Sequence, residues 1–212
     1  VERAAVPIAV MDSAELEHML RRAIAQLGMA TFIEDVAAPL LRRIGDDWHA
    51  GRSTIAHEHL ASATIHDILV EAMRSMAPRS TAATVLVATP SGERHAIGAA
   101  LIGAAAASEG WRVVYLGADM PASEIAAAAL ATKARVVALS VIYLHDRART
   151  LAELRSLRAL VPSSVTIVVG GRAALAMAED LGKLGVVVGT TLLDLHDALA
   201  TAPNDPVERG AA

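Results

Sequence analysis

From Thr84 onward the chain alternates two textures: short runs of β-branched and aliphatic residues, and Ala-rich segments of helical period between them. The runs are TVLVA (84–88), RVVYL (112–116), RVVALS (135–140), VTIVVG (165–170) and GVVV (185–188). None alternates apolar with polar residues, so each strand must be covered on both faces. Strands of that kind, separated by helices of about 10–15 residues, form a parallel sheet with helices on both sides. The expectation is a doubly wound, five-stranded α/β domain over 79–212, Rossmann-like with the flavodoxin type of winding.

The first third has a different period. DSAELEHMLRRAIAQLG sets Leu16, Met19, Leu20, Ala23, Ile24 and Leu27 at helical spacing, with Asp12 or Ser13 as cap and Gly28 as stop. A second helix is expected from Thr31 to Ile44, kinked at Pro39, and it runs out at GDDWHAG. A third opens near Ser53 or Thr54 and ends near Met76. Its inward stripe is Ile55, Glu58 or His59, Ser62, Ile65, Leu69, Met73 and Met76. Residues 1–78 therefore read as a helical bundle preceding the α/β domain.

Composition narrows the function classes. There is no cysteine, which removes disulfides and thiolate chemistry, and the net charge of −4 opposes direct nucleic-acid binding by this chain. No apolar run approaches the roughly 20 residues that cross a bilayer, and the N-terminus has no signal-peptide pattern, so no membrane is expected and the location read is cytoplasmic. The sequence starts at Val1 rather than Met, which is read as a fragment or processed form.

In a doubly wound sheet, ligands bind beyond the carboxyl ends of the strands, where strand order reverses. Those ends carry TPSGERHAIG, GADMP, SVIYLHD and GGRAA. A Gly-x-Gly-x-x-Gly turn, a P-loop and the Asp and Lys of a phospho-receiver are all missing; Ser140 and Gly189 stand at the receiver positions. The first loop reads Gly92-Glu93-Arg94-His95-Ala96-Ile97-Gly98. It resembles the acid-x-His-x-x-Gly loop of cobalamin-binding domains, with Glu93 where the family usually has Asp. Ser140-Val141-Ile142 is similar to the family's Ser-x-Leu, with Ile142 departing from it, and Gly170-Gly171 is similar to its Gly-Gly; Gly117 and Pro121 also fit.

The resemblance implies a base-off cobalamin with His95 as lower axial cobalt ligand, Glu93 on the other ring nitrogen, and Arg94 and Gly98 beside the corrin. Ser140, Ile142, Gly170 and Gly171 would line the channel for the nucleotide tail. The residue types suit those roles. Imidazole is a good neutral metal ligand, a carboxylate partner fixes its tautomer, and Gly98 allows close approach.

Trp48, then nine residues, then Glu58-His59 resembles the signature of the light-sensing cobalamin regulators of the CarH and LitR type. It implies that Trp48, Ile55, Glu58 and His59 meet the adenosyl group of adenosylcobalamin, and that His49 becomes the upper cobalt ligand after light breaks the cobalt–carbon bond. It further implies a non-enzymatic regulator whose output runs through self-association or a partner transcription regulator. The MerR-like helix-turn-helix of those relatives has no counterpart in these residues. By residue type alone, Trp48 also suits packing at a bundle end, Glu58 and His59 also suit the solvated edge of their helix, and zinc on His49, His57, Glu58 and His59 is a minor alternative. A corrinoid methyl carrier serving a methyltransferase has the same layout and is the alternative function. His18, His66, His145 and His196 are read as surface or edge residues.

Overall fold

The computed structural model describes residues 2–78, 80–144 and 146–202; His145 lies outside the described residues. The chain divides into two compact units, Val1–Ser75 and Met76–Ala212. No helix among the described residues is long and apolar enough to cross a membrane.

In the first unit a short helix α1 (Ala5–Ala9), absent from the sequence reading, precedes α2 (Ser13–Leu27). Asp12 settles the cap of α2, its side chain accepting from the Glu15 N–H at 2.9 Å. The second expected helix is longer than Thr31–Ile44. It comprises α3 (Met29–Phe32), a π turn (Ile33–Ala37) and α4 (Ala38–His49). Pro39 has no N–H and its ring crowds the preceding turn, so the helix widens just before it. Because α4 continues past Ile44, Trp48 and His49 occupy its last turn rather than a loop. Helix α5 (Ile55–Ser75) buries Ala61, Ile65, Ile68 and Leu69, while Ile55, expected in the stripe, is 55% exposed. Leu16, Leu20, Phe32, Leu40, Ile65 and Leu69 form the buried interior of this unit.

The second unit holds β1 (Thr84–Pro90), α6 (Ile97–Ser108), β2 (Arg112–Met120), α7 (Ala122–Ala131), β3 (Ala134–Ser140), α8 (Arg147–Leu160), β4 (Thr166–Gly170), α9 (Arg172–Ala176), α10 (Ala178–Lys183), β5 (Val187–Gly189) and α11 (Leu192–Thr201). All strand pairs are parallel, in the order β2-β1-β3-β4-β5. Order reverses between β1 and β3. Every residue of β1 is buried, as the unbroken apolar run requires. One face packs Leu86, Val137, Leu139, Ile167 and Val169 against Ile125, Leu154 and Leu157. The other is covered by α6, whose buried face is alanine and glycine. Strands β1 and β2 run beyond the expected ends, pairing as far as Pro90 and Met120 through register shifts after Val87 and Ala88.

Small residues close the carboxyl edge of the sheet. Ser140, Gly170 and Gly189 lie in lateral register on β3, β4 and β5. Gly171 takes φ +96°, and a Cβ there would sit 2.3 Å from the Val141 carbonyl oxygen. Gly171→Ala should therefore cost about 2 kcal/mol or more, from backbone strain and overlap with main chain that cannot yield. Gly182→Ala in α10, where a Cβ meets nothing within 4 Å, should be neutral or slightly stabilising. Urea unfolding of the two variants checks the contrast.

Candidate functional site

The reversal of strand order brings the loops after β1 and β3 side by side, and Glu93 joins them. Its side chain is only 3% exposed. Oε1 accepts from the His95 N–H at 2.9 Å and faces His95 Nδ1 at 2.5 Å. Oε2 accepts from the N–H groups of Ile142 and Tyr143 at 2.8 and 2.9 Å. The longer arm of glutamate thus reaches the imidazole directly. Burial alone would raise the Glu93 carboxyl, but the Tyr143 and His95 amides, the His95 ring and the Ile142 amide together hold it below the usual carboxylate range.

An ionised carboxylate on Nδ1 makes that nitrogen the proton carrier and leaves the lone pair on Nε2. The His95 side chain is half exposed at the sheet's carboxyl edge. Its ring stands 4.5 Å from that of Tyr143, centroid to centroid, at 47°. An imidazole oriented from behind by a buried carboxylate, with its far edge open to solvent, suits an axial metal nitrogen. That donor set fits a corrinoid.

A second set of bonds fixes the β1 loop to β2. The buried Thr89 hydroxyl donates to the Glu93 carbonyl oxygen at 2.5 Å and accepts from the Asp119 N–H at 2.9 Å. Asp119 Oδ1 accepts from the Gly92 N–H at 2.7 Å. Arg94 is largely exposed, 3.9 Å from Asp119. At Gly98 a Cβ would come 2.1 Å from Ser140 Oγ and 3.4 Å from Ile142 Cδ1. The close approach that demands glycine here is thus between α6 and the end of β3, within the protein. Tyr143, Thr89 and Asp119 are missed by sequence reasoning, although each lies inside one of the strand-end segments TPSGERHAIG, GADMP and SVIYLHD.

In the helical unit, Trp48 and His49 end α4 and Ile55, Glu58 and His59 begin α5, so the turn between places all five at one end of the bundle. Asp47 binds that turn, accepting from the Arg52 guanidinium at 2.8 Å while its carbonyl accepts from the Arg52 and Ser53 amides. Trp48 is 39% exposed, with its ring 4.6 Å from that of His49. Glu58 Oε2 is 3.8 Å from His59 Nδ1, and His59 is well exposed. His57 has a local partner, its Nδ1 lying 2.8 Å from the Thr54 hydroxyl. Among the described residues no three His, Asp or Glu side chains gather to hold a metal ion, so the zinc reading gains nothing. His18 is exposed, His66 lies near Asp67, and His196 lies 3.1 Å from Glu109.

Glu93→Gln keeps the size but removes the charge and sets an amide NH2 among the donating N–H groups of His95, Ile142 and Tyr143. It should cost about 1–3 kcal/mol of stability at pH 7. Because the folded value lies below the ordinary carboxylate value of about 4.3, the Glu93 contribution is full above that pH and fades as pH falls through the folded value. Denaturant unfolding of wild type and Glu93→Gln should show a gap at pH 7 that narrows in acid; a constant gap would contradict the charge assignment.

Comparison with known proteins supplies a family. Two family models, each described as a B12 binding domain, match residues 83–192 and residues 2–73. The HTH-type transcriptional repressor CarA of Myxococcus xanthus is 33% identical over 94% of this chain and 68% of its own length. The HTH-type transcriptional repressor CarH of the same organism is 32% identical over 77% of this chain, which reaches 54% of that protein. The chain thus spans roughly half to two thirds of these relatives. Among solved structures, the Methanosarcina barkeri monomethylamine corrinoid protein superposes with a TM-score of 0.69 at 14% identity, over 94% of this chain and 95% of that one, which is a likeness of fold. By these matches the chain belongs to the B12-binding domain family, as a cobalamin-binding protein of the CarA and CarH type.

Proposed function

We propose that this chain is the sensory part of a light-responsive regulator, binding adenosylcobalamin with His95 as the lower axial nitrogen. The observation that carries the reading is the buried Glu93 carboxylate holding His95 Nδ1 at the point where strand order reverses. The likeness to two transcriptional repressors supports the regulatory class over a catalytic one. When bound, adenosylcobalamin supplies a light-labile cobalt–carbon bond; the cofactor does the photochemistry.

The chain's own residues do the rest. Glu93 keeps the proton on Nδ1 and so keeps Nε2 available to metal. Ser140, Ile142, Gly170 and Gly171 serve the nucleotide tail, with Arg94 and Gly98 beside the ring. In the helical unit, Trp48 and Ile55 offer apolar surface to the adenosyl group, and Glu58 and His59 offer hydrogen bonds to its ribose and adenine. His49 would supply a second imidazole to the metal in the absence of the adenosyl group. Trp48 would pack on that group, so that its loss would free the indole and bias a two-state equilibrium of the bundle, read out by self-association or a partner regulator.

Absorption spectra test the reading. Protein loaded with adenosylcobalamin in darkness should change its spectrum lastingly under green light, whereas an unchanged spectrum with methylcobalamin preferred would make the chain a methyl carrier. His95→Ala should lose roughly tenfold or more in cobalamin affinity, in line with the weight of a metal ligand and its partner. His49→Ala should bind normally in the dark and lack the two-imidazole spectrum after illumination.

A further inference from the structure

The two loops grip His95 in different ways, and only one grip is the carboxylate. Glu93 takes the ring at the edge, at Nδ1. Tyr143 packs beside it, with ring centroids 4.5 Å apart in a tilted pair at 47°, inside the range of favourable aromatic pairs. The Tyr143 main chain is bound independently, its N–H donating to Glu93 Oε2 at 2.9 Å. The main chain that bears the phenol ring is therefore tied to the same carboxylate that bonds the imidazole.

The imidazole turns about its Cα–Cβ and Cβ–Cγ bonds, and a single hydrogen bond at Nδ1 restrains that turning at one ring atom only. A second ring packed beside it removes more of this freedom before any ligand arrives, and less entropy is lost when the other nitrogen coordinates. We propose that Tyr143 is a positioning residue for His95, pre-organising the imidazole for axial coordination through its ring. This rests on the reading of His95 as cobalt ligand, and extends it to a residue outside the acid-x-His-x-x-Gly, Ser-x-Leu and Gly-Gly motifs.

Tyr143→Leu removes the ring and keeps the main-chain N–H, so the Glu93 network persists. Adenosylcobalamin affinity, titrated in darkness, should fall roughly three- to tenfold, the weight of one aromatic pair. Tyr143→Phe should restore it. In a His95→Ala background the Tyr143→Leu change should have no further effect, since there is no imidazole left to position. An equal loss in that background would overturn the proposal by making Tyr143 a direct corrinoid contact; so would unaltered affinity in the single variant. Corrinoid-free protein provides a separate readout. Nuclear Overhauser contacts between the His95 and Tyr143 rings should be present in wild type and Tyr143→Phe; their absence in wild type refutes the proposal. Failure of wild type to bind any corrinoid overturns the proposal together with the ligand assignment, whereas ring contacts with normal binding and no Tyr143 effect overturn positioning alone.

Discussion

One buried carboxylate organises the carboxyl edge of the α/β unit's sheet. Glu93 accepts from its own loop and from the loop after β3, and these loops adjoin only because β1 neighbours β3 in the sheet. Burying a charge is costly, and four hydrogen-bonding partners offset the cost here. The same bonds that keep the carboxylate ionised fix the imidazole's tautomer. Topology, electrostatics and ligand chemistry thus meet at a single side chain.

The surrounding small residues serve that arrangement. Gly98 lets α6 start against Ser140, and Gly171 lets the chain turn across the Val141 carbonyl. Larger side chains at either position would push apart the elements that carry His95 and its partners. Glycines that a motif comparison assigns to the ligand are thus required by the fold first, and any room they leave for a nucleotide tail comes in addition.

Much of this was legible in sequence, and the losses have physical causes. Unbroken runs such as TVLVA admit only a doubly covered strand, so the five parallel strands and their order of appearance could be read directly. The ends of β1 and β2 could not, because pairing to Pro90 and Met120 passes through irregular register that leaves no period. Helix α4 was cut short at Ile44 since Gly45, Asp46 and Asp47 look like a loop, yet Asp47 binds the turn that follows. His95 and Glu93 stood out by type and spacing. Tyr143 did not, because its bond to Glu93 runs through the backbone, which every residue but proline possesses, and its ring contact depends on a loop conformation.

The central claim is that the lower cobalt ligand is an imidazole of this chain, and electron paramagnetic resonance of the cob(II)alamin-loaded protein tests it most directly. With histidine labelled by nitrogen-15 and an unlabelled cofactor, the nitrogen splitting of the cobalt lines should change from triplets to doublets. Triplets that persist in the labelled protein would leave the cofactor's own benzimidazole on the metal, and would contradict the role given to His95.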